Sequence, residues 1–233
     1  MKPRTVAAWS DYVEATEQRI HAEQTSDHFF LVSDFRENPA RVRALVQRGN
    51  VLVFRMETRD TNDSHFDIPD GQVHHWRGSI FVPSASLDGV LQILRRPLTQ
   101  HDLQQDVLAS RVLESEGLRS RVFLKLRRKK FVTVHYNTEH DIEDTRHGDR
   151  RASSRSVATR IADLDNAETP RETEKPIGND LGFLWRLNSY WRYEEVDGGV
   201  LIECESISLS RSIPGAVRWI VTPLIHRAAR KSR

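Results

Sequence analysis

The chain between Leu184 and Arg211 decides the fold: it runs Leu184-Trp-Arg-Leu-Asn-Ser-Tyr-Trp-Arg-Tyr-Glu-Glu195, then Val196-Asp197-Gly198-Gly199, then Val200-Leu-Ile-Glu-Cys-Glu-Ser-Ile-Ser-Leu-Ser-Arg211. The two outer runs are rich in aromatic and β-branched residues, which favour strands. Asp-Gly-Gly between them supplies the positive φ angles that a tight hairpin requires. The sequence therefore predicts a long antiparallel hairpin.

A helix is predicted directly after this hairpin. Pro214 suits the first turn of a helix, and Val217, Ile220, Val221 and Leu224 recur with the spacing of one buried stripe. Because that apolar stripe must be buried against another element, we expect a sheet that wraps around the helix and leaves a cavity between them. The first functional expectation is a protein that binds or carries apolar molecules.

Three helices are predicted before the hairpin. The first has an apolar stripe from Trp9 to Ile20, with Ser10 as its expected N-cap. The second begins at Asn38-Pro39, and the third follows Ser84 or Ser86. The apolar stripe of the third helix consists of Leu87, Val90, Leu91 and Leu94.

Strand-like runs cover residues 51–56, 73–82, 106–115, 119–127, 131–144 and 150–163. Short polar connections between the last four predict an antiparallel meander. The polar stretch 164–182, which has two prolines and two glycines, is a candidate lid. These patterns predict an α+β fold, a curved antiparallel sheet gripping a C-terminal helix, with an N-terminal helical annex over residues 1–60 and the sheet-and-helix domain over 71–233.

Composition excludes several classes of protein. The chain has 233 residues, with 35 Lys plus Arg against 33 Asp plus Glu, so its net charge is small and does not favour binding to nucleic acid. Cys204 is the single cysteine, which rules out an internal disulfide. No run reaches the roughly 18 apolar residues of a membrane span, and no cofactor, phosphate-loop, paired-cysteine zinc or nucleophile-elbow motif occurs. The sequence leaves localisation open: cytoplasmic without a removed leader, periplasmic or secreted with one.

Several stretches carry a resemblance to a known family: His74-His-Trp-Arg-Gly-Ser-Ile-Phe-Val-Pro83, Asn137-Thr-Glu-His140, Ser153-Ser-Arg-Ser156, Gly182 to Tyr193 and Ser208 to Pro214. Together with the order of elements, these stretches resemble the START-like superfamily, also called SRPBCC, Bet v 1-like or helix-grip. The local sequence is most similar to bacterial SRPBCC proteins of unassigned function. The resemblance covers residues 71–226. It implies a cavity for lipids, sterols, polyketides or other apolar ligands, and it brings no catalytic motif.

Two groups of residues are candidates for chemistry. His135 and Glu139 share one strand face and form a candidate acid/base pair, although a solvated sheet face explains them better. Glu203 and Glu205 share a face with apolar residues, so they form either a buried cluster satisfied by Arg192 or Arg211, or a contact for the polar head of a ligand. The predicted ligand-binding residues are Trp191, Tyr193, Glu203, Glu205, Val217, Ile220, Val221, Leu224, Leu91 and Leu94.

The basic residues are clustered at Arg127-Arg-Lys-Lys130 and in the tail from Arg227 to Arg233. A solvated turn is the default interpretation of the first cluster, and contact with an anionic membrane surface is the alternative. No recognition helix or aromatic strand motif accompanies the charge, so nucleic acid is not expected as a partner.

The sequence as a whole favours a binder of a hydrophobic small molecule. A cyclase- or hydrolase-type enzyme using His135 and Glu139 and a protein-interaction module without a cavity are the alternatives.

Overall fold

A computed structural model describes residues 1–96, 106–129, 133–176 and 178–211. The elements in these ranges are α1 (Pro3–Gln24), a 3-10 helix (Val32–Phe35), α2 (Pro39–Gln47), β1 (Leu52–Arg55), β2 (Gly71–Pro83), α3 (Leu87–Arg95), β3 (Val107–Glu116), β4 (Arg119–Lys129), β5 (Thr133–Arg146), β6 (Arg151–Asp165), β7 (Thr173–Glu174), β8 (Arg186–Val196) and β9 (Gly199–Arg211). The predicted C-terminal helix with Val217, Ile220, Val221 and Leu224, Lys130 of the basic turn, and the tail from Arg227 to Arg233 lie outside the described residues.

The strands form one antiparallel sheet in the order β1-β2-β9-β8-β6-β5-β4-β3, with β7 added beside the end of β6. The meander predicted for β3 to β6 is confirmed, as is the α+β class. Strand β9 lies between β2 and β8 and is buried along nearly its whole length. The hairpin predicted from local sequence is therefore the centre of the sheet.

The turn between β8 and β9 depends on its glycines. Gly198 has a φ of +89° and Gly199 a φ of +157°. A Cβ atom on Gly199 would lie 2.2 Å from the carbonyl oxygen of Val82 in the neighbouring strand. Only glycine allows β2 to approach the turn this closely.

Helix α1 begins earlier than predicted. It starts at Pro3 with Lys2 as the N-cap residue, whereas Ser10 lies inside the helix and its hydroxyl donates to the carbonyl of Val6. The N-cap prediction for Ser10 is wrong because proline at the first helical position already begins the helix seven residues upstream.

The other two helices are capped as the sequence predicts. The Asn38 side chain accepts a hydrogen bond from the backbone N–H of Arg41 at 3.0 Å, which caps α2. Of the two serines proposed for α3, Ser86 is the cap, because its hydroxyl accepts the N–H of Gly89 at 3.2 Å.

The two faces of the sheet differ in what covers them. We call one the annex face; on β9 it carries Leu201, Glu203, Glu205, Ile207 and Leu209, and it is covered by α1, the 3-10 helix and α2. We call the other the serine face; on β9 it carries Val200, Ile202, Cys204, Ser206, Ser208 and Ser210, and α3 packs on part of it. Side chains alternate between these two faces along every strand.

Candidate functional site

A row of three serines crosses the centre of the serine face. Ser206 of β9 lies opposite Ser189 of β8, which in turn lies opposite Ser156 of β6. Trp76 and Ile142 continue the row on the strands at either side. Ser206 is fully buried and Ser189 is nearly so. These small side chains occupy the middle of the sheet, where bulky apolar residues are usual.

An apolar cluster lies on each side of this row. The first joins α3 to the strands at the hairpin end and contains Leu91, Trp191, Tyr193, Ile202 and Cys204, with Leu94 packed against it. The second lies toward β4 and β5 and consists of Leu126, Val134, Tyr136, Ala158, Leu184 and Leu187. The serine face is thus apolar at both ends, with small hydroxyl residues between.

Two buried hydroxyl groups on this face have no hydrogen-bond partner within the described ranges. They are the hydroxyls of Ser206 and of Tyr136, whose residues are 0% and 1% exposed. Nearly all buried polar groups in proteins are hydrogen bonded to protein, to ordered water or to a ligand. These two hydroxyls therefore have unused hydrogen-bonding capacity within the described structure.

The buried histidines of the serine face are hydrogen bonded to hydroxyls. His74 Nε2 lies 2.9 Å from Ser210 Oγ, and His140 Nε2 lies 3.0 Å from Thr138 Oγ1. Burial lowers the pKa of each imidazole to about 4, so both are neutral at pH 7. His75, the neighbour of His74 on β2, points to the opposite face, as expected for adjacent residues of a strand. The described residues contain no group of three side chains suited to a metal ion.

The annex face has the opposite chemistry, because it carries buried charges. Glu205 accepts a hydrogen bond from His75 Nε2 at 2.7 Å and forms an ion pair with Arg19 of α1. Burial raises the pKa of Glu205, but the bond from His75 and the nearby positive charges outweigh it and lower the pKa to about 2. The Tyr12 hydroxyl lies 2.8 Å from His75 Nδ1 and accepts the N–H of Thr58 at 2.9 Å. With the proton of neutral His75 on Nε2, the imidazole donates to Glu205 and its Nδ1 accepts the Tyr12 hydroxyl, so every group in this row of hydrogen bonds has a suitable partner.

Glu203 lies two residues away and has weaker partners. It accepts bonds from the Ser79 hydroxyl at 2.7 Å and the Ser33 N–H at 3.0 Å, and its nearest cation, Arg77, is 3.9 Å away. Burial therefore raises the pKa of Glu203 despite these contacts. The guanidinium of Arg77 is itself fully buried without a hydrogen bond in the described structure, 4.2 Å from the centre of the Phe54 ring.

The arginine that pairs with Glu205 is Arg19 of α1, and neither Arg192 nor Arg211, the two that the sequence suggested, forms an ion pair with Glu203 or Glu205. Arg192 donates instead to the Phe30 carbonyl at 2.8 Å and pairs with Glu23 of α1. Arg211 lies over the Trp185 ring, 5.6 Å from its centre. The N-terminal helices supply groups that a reading of the hairpin alone could not anticipate.

The structure divides the predicted ligand-binding set between the two faces. Trp191, Tyr193, Leu91 and Leu94 come together on the serine face. Glu203 and Glu205 lie on the annex face and are covered by protein, so a ligand on the serine face cannot contact them. The prediction missed one signal for the serine face. Ser206, Ser208 and Ser210 repeat at every second position of the buried strand β9.

His135 and Glu139 share a strand face, as predicted, but each has a different partner. His135 Nε2 lies 2.9 Å from Glu168, and Glu139 lies 3.6 Å from Arg160. Four residues of strand separate them by about 13 Å. The geometry therefore does not join them into an acid/base pair.

The stretch between β6 and β8 is tied to the annex face of β4 to β6. Glu168 contacts Arg127 at 3.3 Å as well as His135, and Glu172 forms an ion pair of 2.6 Å with Lys125. Glu174 of β7 accepts a hydrogen bond of 2.8 Å from Asn137. These ties hold residues 168–174 on the annex face, whereas Leu181 farther along donates its N–H at 2.8 Å to Asp163, which pairs with Tyr136 on the serine face. None of the described helices is long and apolar enough to cross a membrane.

Comparison with known proteins identifies the fold. No protein-family model matches the sequence, and no curated protein is similar to it at a significant level. Among solved structures, a STAR-related lipid transfer protein from Xanthomonas axonopodis superimposes with a TM-score of 0.50, at 17% identity, over 72% of this chain and 96% of that one. The chain has the START-like fold.

A second START-like structure, the human StarD13 lipid transfer and protein localization domain, is 9% identical over 85% of this chain and 98% of that one, with a TM-score of 0.46. At these identities the START-like likeness concerns the path of the backbone. The chemistry of the site must be argued from the residues of this chain.

Proposed function

We propose that this protein binds and carries an apolar small molecule on the serine face of its sheet. The observation that supports this most directly is the row of Ser206, Ser189 and Ser156 between two apolar clusters. A sheet centre built from small side chains leaves room for a guest, and the clusters provide apolar surface at both ends. Burial of that surface would contribute about 25 cal/mol per Å², before the cost of ordering the ligand.

The START-like fold is a second support. The Xanthomonas protein that shares it is described as a lipid transfer protein. That description belongs to the other protein and is carried here only as part of the proposal. On the annex face, the charges of Glu205 and Arg192 are already paired with groups of α1.

The proposal is tested by extraction of the protein purified from its native host with organic solvent, followed by mass spectrometry. We expect one apolar compound in stoichiometric amount. Ser189→Leu should reduce the recovered amount at least ten-fold, because the larger side chain fills the space above the row. Recovery from Ser189→Leu equal to that from the unchanged protein would contradict the proposed location.

Ser120→Leu is the matched control. Ser120 lies opposite Ile142 at the far end of the same row, three strands or about 14 Å from Ser189, and is partly exposed. The same change of side chain there should leave ligand recovery unchanged. Loss of ligand from both variants would show a general effect on folding, which urea unfolding of each variant measures separately.

A further inference from the structure

A groove lies between helix α1 and the sheet, on the annex-face side of β6 and β8. These two strands pair from Arg151–Glu194 to Val157–Asn188, after which β6 continues with β5 and β8 with β9. The strands therefore separate beside α1 and leave a groove of about 680 Å³. Small molecules usually occupy clefts of about 300–1,000 Å³, so the groove has the size of a ligand site.

Apolar side chains from both elements line this groove. Helix α1 contributes Val6, Trp9 and Val13, which lie three and four residues apart and so share one face of the helix. Strand β6 contributes Val157 and Ala158. Both of the α1 valines and Val157 are only partly buried, so an apolar surface remains open to solvent. Covering this surface with a ligand would contribute about 25 cal/mol per Å².

Arg186 of β8 brings a positive charge to this surface. It lines the groove and is half-buried, and its guanidinium donates to the Trp185 carbonyl at 3.2 Å. It forms no ion pair with any residue of the described ranges. The residues outside those ranges contain a single carboxylate side chain, that of Asp102. The guanidinium thus keeps donors that a bound anion can use.

The other charged residues of the groove are paired or lie on the solvent side of α1. Arg155 donates to Glu17 at 2.8 Å, so these two charges offset each other. Glu14 and His21 are exposed, where solvent and salt screen any charge that they carry. Among the described lining residues, this leaves Arg186 as the group best placed to bind an anion.

We infer that the groove between α1 and β6 is a separate ligand site for an anionic amphiphile such as a fatty acid. The carboxylate pairs with Arg186, and the hydrocarbon part covers Trp9 and its apolar neighbours. Hydrogen bonds between a guanidinium and a carboxylate are about twice as strong as neutral ones. The inference does not depend on the proposed function, because this groove and the serine row lie on opposite sides of the sheet.

A fluorescent label on the wall of the groove tests the site. Cys204 is the single cysteine and is 1% exposed, so Ser10→Cys supplies an accessible thiol at an exposed position that lines the groove. With acrylodan attached there, decanoate should change the emission saturably, at concentrations about ten-fold lower than decanol or decyltrimethylammonium. Each compound is used below its aggregation concentration. The same label on Asp149→Cys, in the exposed turn before β6, should not respond.

Two outcomes of the labelling experiment would overturn the inference. Equal or tighter binding of decanol or decyltrimethylammonium would overturn the preference for an anion. No saturable response of the groove label to any of the three compounds, or an equal response at both labels, would overturn the site itself.

Variants of the labelled protein test the role of Arg186. Arg186→Gln should weaken decanoate about ten-fold and leave decanol unchanged, because only the anion loses a charged partner. Arg119→Gln is the matched control, since this exposed arginine of β4 pairs with Glu143 at 2.9 Å and does not line the groove. Unchanged binding of decanoate to Arg186→Gln, or equal weakening in both variants, would exclude Arg186 as its partner. Ser189→Leu, on the serine face, should leave the response unchanged, which separates failure of this site from failure of the proposed function.

Discussion

Glu203 and Glu205 show how strongly the partner of a buried residue decides its chemistry. They are two positions apart on one strand face, and both are 2% exposed. Glu205 has His75 at 2.7 Å and the ion pair with Arg19, whereas Glu203 has mainly neutral donors and a cation at 3.9 Å. The pKa of Glu205 is lowered and that of Glu203 is raised. One ion pair therefore stabilises the fold at neutral pH, and the other buried carboxylate costs stability when it is ionised.

Substitution of each glutamate by glutamine should separate these effects. With a folded pKa of about 2 against an ordinary 4.5, ionised Glu205 stabilises the fold above pH 4.5, and this stabilisation disappears as the pH falls from 4.5 toward 2. Glu205→Gln should thus lower the free energy of unfolding by about 3 kcal/mol at pH 7. Urea unfolding at pH 7 and at pH 3 measures the loss, which should be smaller at the lower pH.

Glu203→Gln is the matched comparison. Its raised pKa means that the folded state holds the proton more tightly than the unfolded state, so the ionised form is destabilising and protein stability from this group rises as the pH falls through the folded pKa. The amide should therefore cost clearly less than Glu205→Gln at pH 7, within about 1 kcal/mol of the unchanged protein. Equal losses from the two variants would refute the assignment of opposite effects.

At the scale of elements, the hairpin of β8 and β9 joins the two halves of the sheet. Strand β9 pairs with β2 on one side and with β8 on the other, and Val82 and Phe81 lie against its turn. A change in the turn should therefore disturb three strands at once. A turn at the edge of the sheet, such as that between β3 and β4, involves only its own pair.

Gly199→Ala and Gly117→Ala compare these two turns. A Cβ on Gly199 meets the Val82 carbonyl at 2.2 Å, whereas at Gly117, with a φ of +58°, nothing lies within 4 Å. We expect Gly117→Ala to cost about 1 kcal/mol, the strain of a left-handed backbone. Gly199→Ala should cost at least twice as much, because β2 or the turn must also move. Thermal unfolding of the two variants measures the difference, and equal melting temperatures would refute it.

The elements were predictable to the extent that their signals are local. Asp197-Gly-Gly, Asn38-Pro39 and Ser86 fix a turn and two helix starts within a few residues of chain, and the structure has all three. The partners of Glu203 and Glu205 were not predictable in this way. They depend on the register of β2 against β9, which brings His75 to Glu205 and Arg77 near Glu203, and on where α1 crosses the sheet, which brings Arg19 to Glu205.

For the molecule as a whole, the two faces of the sheet have separate tasks. The helices α1 and α2 and the 3-10 helix cover a face with paired buried charges, and the face proposed for the ligand carries the Ser206 and Tyr136 hydroxyls and the apolar clusters. The same strands supply both, because neighbouring residues point to opposite sides. Loss of a charge pair on the annex face should therefore affect stability more than ligand preference.

The sequence predicts a boundary at residue 60, but β1 before it pairs with β2 after it, so we test whether the second part folds alone. Without residues 1–60, the annex face would expose Ile207 and Leu209, and Glu205 and Arg192 would lose Arg19 and Glu23 as partners. We expect residues 61–233 alone to be insoluble or to lack a cooperative unfolding transition by circular dichroism. Co-expression with residues 1–60 as a separate chain should restore a soluble complex, since the contacts are noncovalent. A fragment that folds alone, with the urea midpoint of the whole chain, would show that the annex adds nothing to the stability of the sheet.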